Sequence, residues 1–142
     1  MLHAMTLALT LWSPELKNGA PISMQYAWNH NGCNGRNRTP FVRWDAPPQR
    51  TATFELTVVD HDAPKPGGFL HWAVTGIPSG IRALNAYTPP GATEHKNDFG
   101  TVGWGGPCPP PGQLHHYTFT LHALDANGHV LATSHLVPVY RR

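Results

Sequence analysis

The chain has 142 residues, which fits one domain over residues 1–142 and is long enough to bury a hydrophobic core. With 40% apolar residues it is not a disordered chain, and a formal net charge of +2 gives no reason to expect nucleic acid as a partner. Ten histidines are the compositional outlier, and they would add positive charge in mildly acidic solution.

Fifteen prolines and 14 glycines argue against long helices and predict many turns. Residues 1–5 carry neither the basic nor the apolar segment of a secretory signal, and we therefore expect a cytoplasmic protein. Two cysteines, Cys33 and Cys108, do not make a disulfide framework. A single disulfide between them is possible, because loops distant in sequence can meet in space.

Alternating apolar residues predict a first strand over Met5–Leu11, which ends before Pro14. A second strand is predicted over Ile22–Trp28, and a polar, glycine-punctuated loop follows over residues 29–40. A short strand over Phe41–Trp44 ends before a run of prolines. The next strand, over residues 53–58, leads directly into a pair of acids.

Residues 70–77 form another predicted strand, and residues 89–112 are predicted to be a long loop rich in glycine and proline. The strand over His115–Leu124 has the clearest alternation in the chain, and residues 129–140 mix strand and turn. Several short strands separated by turn residues indicate an all-β fold with little helix, arranged as a sandwich of two antiparallel sheets.

The stretch TVVDHDAP, residues 57–64, ends an apolar strand with two acids. A period of two places Asp60 on the same face as the strand's apolar residues, where a carboxylate needs partners. His61 points to the other face, which makes Asp60, His61 and Asp62 a poor metal clamp. Asp62 is expected either to cap the turn or to orient a histidine.

His115 shares a strand face with Tyr117, so an imidazole and a phenol are predicted to point into one space. His116 falls on the opposite face and is expected to be solvated. His71, in the segment FLHWAV, is either a surface residue or a member of the same pocket as Asp60 and His115.

The segment GPCPPPG, residues 106–112, is either a stiff connection or an anion-binding nest. In the second interpretation the ring-locked prolines fix the directions of the Gly106 and Cys108 amides. No phosphate-binding P-loop and no zinc-binding motif is present. Cys108 is a weak candidate nucleophile, because it lies between prolines with no helix N-terminus to lower its pKa.

Six motifs, in this order, resemble the phosphatidylethanolamine-binding protein family, also called the Raf kinase inhibitor-like family, and its bacterial and archaeal branch in particular. Each motif alone is modest, but six in the right order are specific, and they span nearly the whole chain. They are CNGRNRTPFVRW (33–44), VVDHDAP (58–64), HWAVTGIP (71–78), NDFGTVGWGGPCPPPG (97–112), HHYTFTLHALD (115–125) and GHVLATSHLVPVYRR (128–142).

The resemblance implies a β-sandwich with a small anion pocket at one edge. The family's DPDAP motif falls on Asp60–Pro64, its pocket histidine on His71, and its HRY motif on His115–Tyr117. Its Gly-Pro-Pro wall falls on residues 108–110. The implied ligand-binding residues are Asp60, His71, Cys108, Pro109, His115 and Tyr117, with Asp62, Gly106 and Pro110 in supporting positions.

Three departures from the family pattern stand out. His61 replaces a proline, and His116 replaces an arginine. The chain between Asp125 and Gly128 is short where relatives carry a longer segment, often with a helix, so the C-terminal region is expected to be shortened. The pocket is then either more open or covered by a partner subunit.

The resemblance implies a non-enzymatic binder of small anions or phospholipid head groups, with no cofactor and no metal. A protein kinase or a protease is a candidate partner, nucleic acid is not, and a homodimer is conceivable. The acids are expected to partner the histidines, so that a proton is held at the site. The alternatives are a hydrolase that uses His115 or His71 with Asp60, and an interaction module with a vestigial pocket.

Overall fold

The structure is a computed structural model, and it describes residues 7–142. In this part of the chain the regular structure consists of ten strands and one short 3-10 helix at Met24–Tyr26. The strands are β1 Thr10–Trp12, β2 Val42–Asp45, β3 Thr53–Asp60, β4 Phe69–Pro78, β5 Ala83–Leu84, β6 Thr93–Glu94, β7 Leu114–His116, β8 Thr118–Leu124, β9 Val130–Leu136 and β10 Val139–Arg141.

Two antiparallel sheets form the layers of the sandwich. The larger has five strands in the order β6-β4-β3-β8-β9, and the smaller has three in the order β1-β2-β5. A separate two-stranded ladder joins β10 to β7. The predicted all-β sandwich with little helix is therefore confirmed, with this small ladder as an addition.

The core lies between the two sheets, and strand alternation explains why. In β3 every second residue is buried, from Phe54 through Leu56 and Val58 to Asp60. The Trp44 ring on β2 reaches across to Phe54, and their ring centroids are 5.3 Å apart. Both side chains are fully buried, so this contact links the two layers at the centre of the core.

Most predicted strands are confirmed with small changes at their ends, but the one over Ile22–Trp28 is wrong. This segment turns through the 3-10 helix, because it packs against the loop that contains Trp104 and Gly106. The Trp104 indole N–H donates a hydrogen bond to the carbonyl oxygen of Tyr26 at 2.9 Å. The predicted strand over Met5–Leu11 lies partly outside the described residues, and β1 begins at Thr10.

The predicted strand over His115–Leu124 divides at Tyr117. Its N-terminal part, β7, pairs with β10, whereas β8 pairs with β3 and β9. The Tyr117 amide donates to the carbonyl oxygen of Pro138 at 3.0 Å, which bends the chain away from the large sheet. The side-chain alternation nevertheless continues across the break, and His115, Tyr117 and Phe119 are all buried.

The shortened C-terminal region is a tight turn between β8 and β9. The Asp125 amide donates to the carbonyl oxygen of His129 at 2.9 Å, and the Gly128 amide donates to that of Asp125 at 3.0 Å. The side chain of Asp125 accepts hydrogen bonds from the amides of Asn127 and His129. No helix lies between these two strands, and no helix within residues 7–142 is long and apolar enough to cross a membrane.

Candidate functional site

A cavity of about 160 Å³ lies at one end of the five-stranded sheet, where β3 ends and β4 begins. β3 runs antiparallel to both β4 and β8, so its last residue meets the first residues of its neighbours. The lining residues are Asp60, Ala63, Pro64, Phe69, His71, Phe99, Cys108, Pro109, Pro110, His115 and Tyr117. All six predicted ligand-binding residues are among them.

The centre of the cavity wall is a buried carboxylate–imidazole pair. Asp60 and His115 are each 3% exposed, and Asp60 Oδ2 lies 2.6 Å from His115 Nδ1. The second ring nitrogen of His115, Nε2, lies 2.8 Å from Gln113 Oε1. Oxygen atoms thus face both ring nitrogens, and the contacts fit an imidazolium that donates from both of them.

Asp62 supports this pair from the turn that follows β3. Its backbone N–H donates to Asp60 Oδ1 at 2.9 Å. Its own carboxylate accepts from the His116 amide at 2.7 Å and lies 2.8 Å from His116 Nδ1. These two contacts with His116 lower the pKa of Asp62 below its ordinary value. The turn is therefore fastened to the end of β7.

His71 is held by a different partner from the one expected. Its Nδ1 donates to the carbonyl oxygen of Gly105 at 2.6 Å, and the Gly105 amide donates back to the carbonyl oxygen of His71 at 2.8 Å. Burial lowers the pKa of His71 and outweighs the opposing effects of the Gly105 carbonyl and Asp60. The expectation that the acids serve both histidines is wrong for His71, because a carbonyl rather than a carboxylate binds its ring.

Tyr117 lines the cavity with its ring, which packs edge-on to that of His71 at a centroid separation of 5.1 Å. Its hydroxyl is buried and has no hydrogen-bond partner within residues 7–142. Burial, with a smaller contribution from the charge of Asp60, raises the pKa of Tyr117 far above its ordinary value. The phenol therefore stays protonated and can act as a donor.

Replacing Tyr117 by Phe is expected to raise the free energy of unfolding by about 1 kcal/mol, because it removes a buried hydroxyl that bonds to nothing. Urea denaturation of the purified protein measures the change. Tyr87→Phe is the matched control, since Tyr87 is 83% exposed and should leave stability unchanged. A loss of stability in Tyr117→Phe would show that the hydroxyl has a partner in solution.

The proline-rich wall is fastened by a covalent bond. Cys33 and Cys108 form a disulfide with 5.6 Å between their Cα atoms, which settles the pairing that the sequence left open. Arg142 joins the same two loops, with hydrogen bonds to the carbonyl oxygens of Asn31 at 3.1 Å and Pro109 at 3.4 Å. Pro110, expected in a supporting position, contacts the cavity directly.

Of the two backbone amides proposed to form an anion-binding nest, only that of Cys108 is free to bind a ligand within residues 7–142. The Gly106 N–H donates to Asn37 Oδ1 at 2.7 Å, so it cannot bind a ligand, and that part of the prediction is wrong. The Cys108 N–H has no acceptor within residues 7–142. Gly106 has a structural role instead, because an added Cβ would overlap the backbone of Tyr26 and Ala27.

Sequence reasoning missed several residues of the cavity. Phe69 shares a strand and a face with His71, and this parity could have identified it. Phe99 comes from the long loop, where no periodicity exists, and stacks on the buried Trp28 with ring centroids 3.9 Å apart. Ala63 and Pro64 complete the turn that follows Asp60.

Two asparagines, Asn37 and Asn97, hold the loop in place; each lies in one of the family motifs, but sequence reasoning assigned neither a role. Asn97 accepts from the amides of Phe99 and Thr101 and donates to the carbonyl oxygen of Gly103. Asn37 bonds to the backbone of Trp104 and Gly106 from the other side. Together they fix the stretch that supplies Phe99 and the Gly105 carbonyl to the cavity.

The charges around the cavity are unusual for an anion site. No lysine or arginine is among its lining residues, and His115 is the one basic group hydrogen-bonded to a carboxylate there. Residues 7–142 contain no cluster of three or more metal-ligating side chains. A concave, mostly apolar cavity with a few convergent polar groups is the usual form of a small-molecule site.

The architecture is a two-sheet β-sandwich with a cavity at one end, and comparison with known proteins identifies the family. Residues 12–139 match the family described as phosphatidylethanolamine-binding protein, and the chain belongs to that family. It is 33% identical over 164 residues to YbcL of Escherichia coli, covering 96% of this chain and 90% of that protein. It is also 36% identical over 124 residues to YbhB of the same bacterium, and this match covers 82% of this chain and 78% of YbhB.

Solved structures agree with this assignment. The crystal structure of Escherichia coli YbcL, described as a new member of the mammalian PEBP family, superimposes with a TM-score of 0.89 at 32% identity and covers 96% of this chain and 99% of that one. The phosphatidylethanolamine-binding protein of Plasmodium vivax shares the fold, with a TM-score of 0.64 at 15% identity. The match covers 96% of this chain and 86% of that one.

Proposed function

We propose that this protein is a non-enzymatic binder of small anions of the phosphate type, either free or as part of a head group. The observation that carries the proposal is the concentration of buried polar groups at one place. Five polar or charged residues of residues 7–142 are buried, and three of them, Asp60, His71 and His115, line one cavity. Burying a polar group costs free energy unless the group is hydrogen-bonded, and buried ionisable groups cluster at functional sites.

The cavity offers donors suited to an oxyanion. His115 is oriented by Asp60 through Nδ1, and its Nε2 can donate to a ligand oxygen that takes the place of Gln113 Oε1. The Cys108 amide has no acceptor within residues 7–142, and the prolines on either side restrict its direction. Around these donors, Phe69 and Phe99 exclude water, which strengthens each polar contact with a bound ligand.

Isothermal titration calorimetry with inorganic phosphate is the direct test. We expect binding to the wild type, and at least about tenfold weaker binding to His115→Gln, because the variant loses a charge-assisted donor. His135→Gln is the matched control, since His135 is exposed on β9 and bonds only to Thr120. Equal affinities of the two variants would place phosphate elsewhere on the surface.

The alternative of a hydrolase has one observation in its favour, the Asp60–His115 pair, which resembles the base of a catalytic dyad. Cys108 cannot supply the nucleophile while it is bonded to Cys33. Turnover of a phosphomonoester by the wild type, abolished in His115→Gln, would favour this alternative. Intact binding to a kinase or a protease in a variant that no longer binds phosphate would favour an interaction module.

A cytoplasmic location stays a prediction, and two observations bear on it. Disulfides persist mainly in oxidising compartments, and Cys33 is bonded to Cys108. The relative LppC of Mycobacterium tuberculosis, 40% identical over 119 residues, carries a lipoprotein name; the match covers 82% of this chain and 55% of that protein. Alkylation of thiols in intact host cells, followed by mass measurement, would show which redox state prevails.

A further inference from the structure

Two groups of the cavity can only accept hydrogen bonds from a ligand, and the first is the Asp60 carboxylate. Its Oδ1 accepts from the Asp62 amide, and its Oδ2 pairs with His115. The carboxylate is 3% exposed, so water does not solvate it freely. A ligand oxygen that lies against it must bring a proton, or two sets of lone pairs will repel each other.

The second acceptor is Nε2 of His71. The carbonyl oxygen of Gly105 can only accept, so the hydrogen bond at 2.6 Å fixes a proton on Nδ1. In the neutral ring Nε2 then carries a lone pair that can accept a hydrogen bond. The ring is 3% exposed and lines the cavity, where this nitrogen would meet a ligand.

The balance of charge points in the same direction. No lysine or arginine lines the cavity, and His115 already faces Asp60. The other ionisable groups at this end of the sheet include Tyr117 inside the cavity and Asp62, which pairs with His116. Lys65 lies 5.7 Å from the centre of the Phe69 ring but is paired with Asp98 at 2.7 Å, and Arg142 donates to the carbonyl oxygen of Pro109. The Asp60–His115 pair is neutral as a unit, so a bound oxyanion keeps its own charge, and a singly charged oxyanion that retains a proton costs less to bury than a doubly charged one.

We propose that the cavity selects oxyanions that still carry a proton, namely acid phosphate or the monoanion of a phosphomonoester or phosphonate, and rejects sulfate and sulfonates of the same shape. This inference rests on the proposed anion-binding function and specifies its ligand class. The selective element is repulsion, because Asp60 and His71 present lone pairs that a fully ionised oxyanion cannot satisfy. Sites that hydrogen-bond a substrate hydroxyl discriminate strongly against analogues that lack it.

The test is a comparison of methylphosphonate with methanesulfonate by calorimetry at about pH 5.5, where a phosphoryl group is largely a monoanion. The two ions then have the same charge and nearly the same shape, and differ by one acidic hydrogen. We expect methylphosphonate to bind at least about tenfold more tightly. Equal affinities, or tighter binding of methanesulfonate, would overturn the inference and leave anion binding intact. Failure of both ions and of phosphate to bind would overturn the proposed function as well.

An Asp60→Asn variant tests whether Asp60 causes the preference for methylphosphonate over methanesulfonate. Asp60→Asn keeps the size of the side chain but adds an N–H donor, so the preference for methylphosphonate should shrink at least severalfold. Asp45→Asn is the matched control, because Asp45 is exposed on β2 and lies outside the cavity lining. An unchanged preference in folded Asp60→Asn would overturn the assignment to Asp60. If that variant does not fold, the wild-type comparison of the two ions still decides the inference.

Discussion

Replacing both Cys33 and Cys108 by serine is expected to lower the free energy of unfolding by about 4 kcal/mol. The disulfide links residues 75 positions apart, and its loss gives the unfolded chain back the conformational freedom of a long loop. Phosphate affinity should fall as well, because Cys108 is part of the cavity wall and loses its covalent support.

Urea denaturation and phosphate calorimetry measure the two effects, and wild-type protein treated with a thiol reductant should behave like the double variant. An oxidised wild type with the same unfolding midpoint as the double variant would contradict the prediction. Loss of stability without loss of affinity would show that Arg142, which bridges the same two loops, maintains the wall alone.

Replacing Asp60 by Ala is expected to lower the free energy of unfolding by about 3 kcal/mol and to abolish measurable phosphate binding. The substitution leaves His115 buried without its carboxylate and removes the acceptor of the Asp62 amide. Breaking a buried pair by removing one partner is strongly destabilising, because the other partner stays behind without compensation.

Asp62→Ala provides the internal comparison, since it removes an acid of the same type two residues away. Asp62 is 44% exposed and its partner His116 is 56% exposed, so this change should lower stability by about 1 kcal/mol or less. Phosphate binding should weaken moderately, through movement of the turn. Equal effects of the two substitutions on the urea midpoint would contradict the distinction between them.

The different environments of these two acids could be predicted from the sequence. A period of two along β3 is sufficient to place Asp60 on the core face, and it also directs His61 to solvent. The same reasoning places His115 and Tyr117 together, even though the strand that was expected to join them is divided. Parity depends on local backbone geometry, so it tolerates an error in strand boundaries.

The partners of these side chains could not be predicted in the same way. His71 binds a carbonyl supplied by Gly105, and that carbonyl is positioned by Asn97 and Asn37, which lie in loops of the chain without periodicity. Such contacts depend on how distant loops meet, and neither propensity nor alternation encodes that. The presence of histidine at position 61 is explained by nothing in the structure.

The cavity wall draws on chain segments far apart in the sequence, from the turn after β3 to the loop around Phe99, the disulfide-linked wall and β7. No local fragment can therefore assemble the binding surface, which exists only when the whole fold is complete. A ligand that recognises this surface shifts the folding equilibrium of the entire protein, by about 2.7 kcal/mol at a concentration one hundred times its dissociation constant. Melting temperature thus becomes a readout of occupancy, and a library of phosphorylated and phosphonylated compounds can be ranked without any assay of activity.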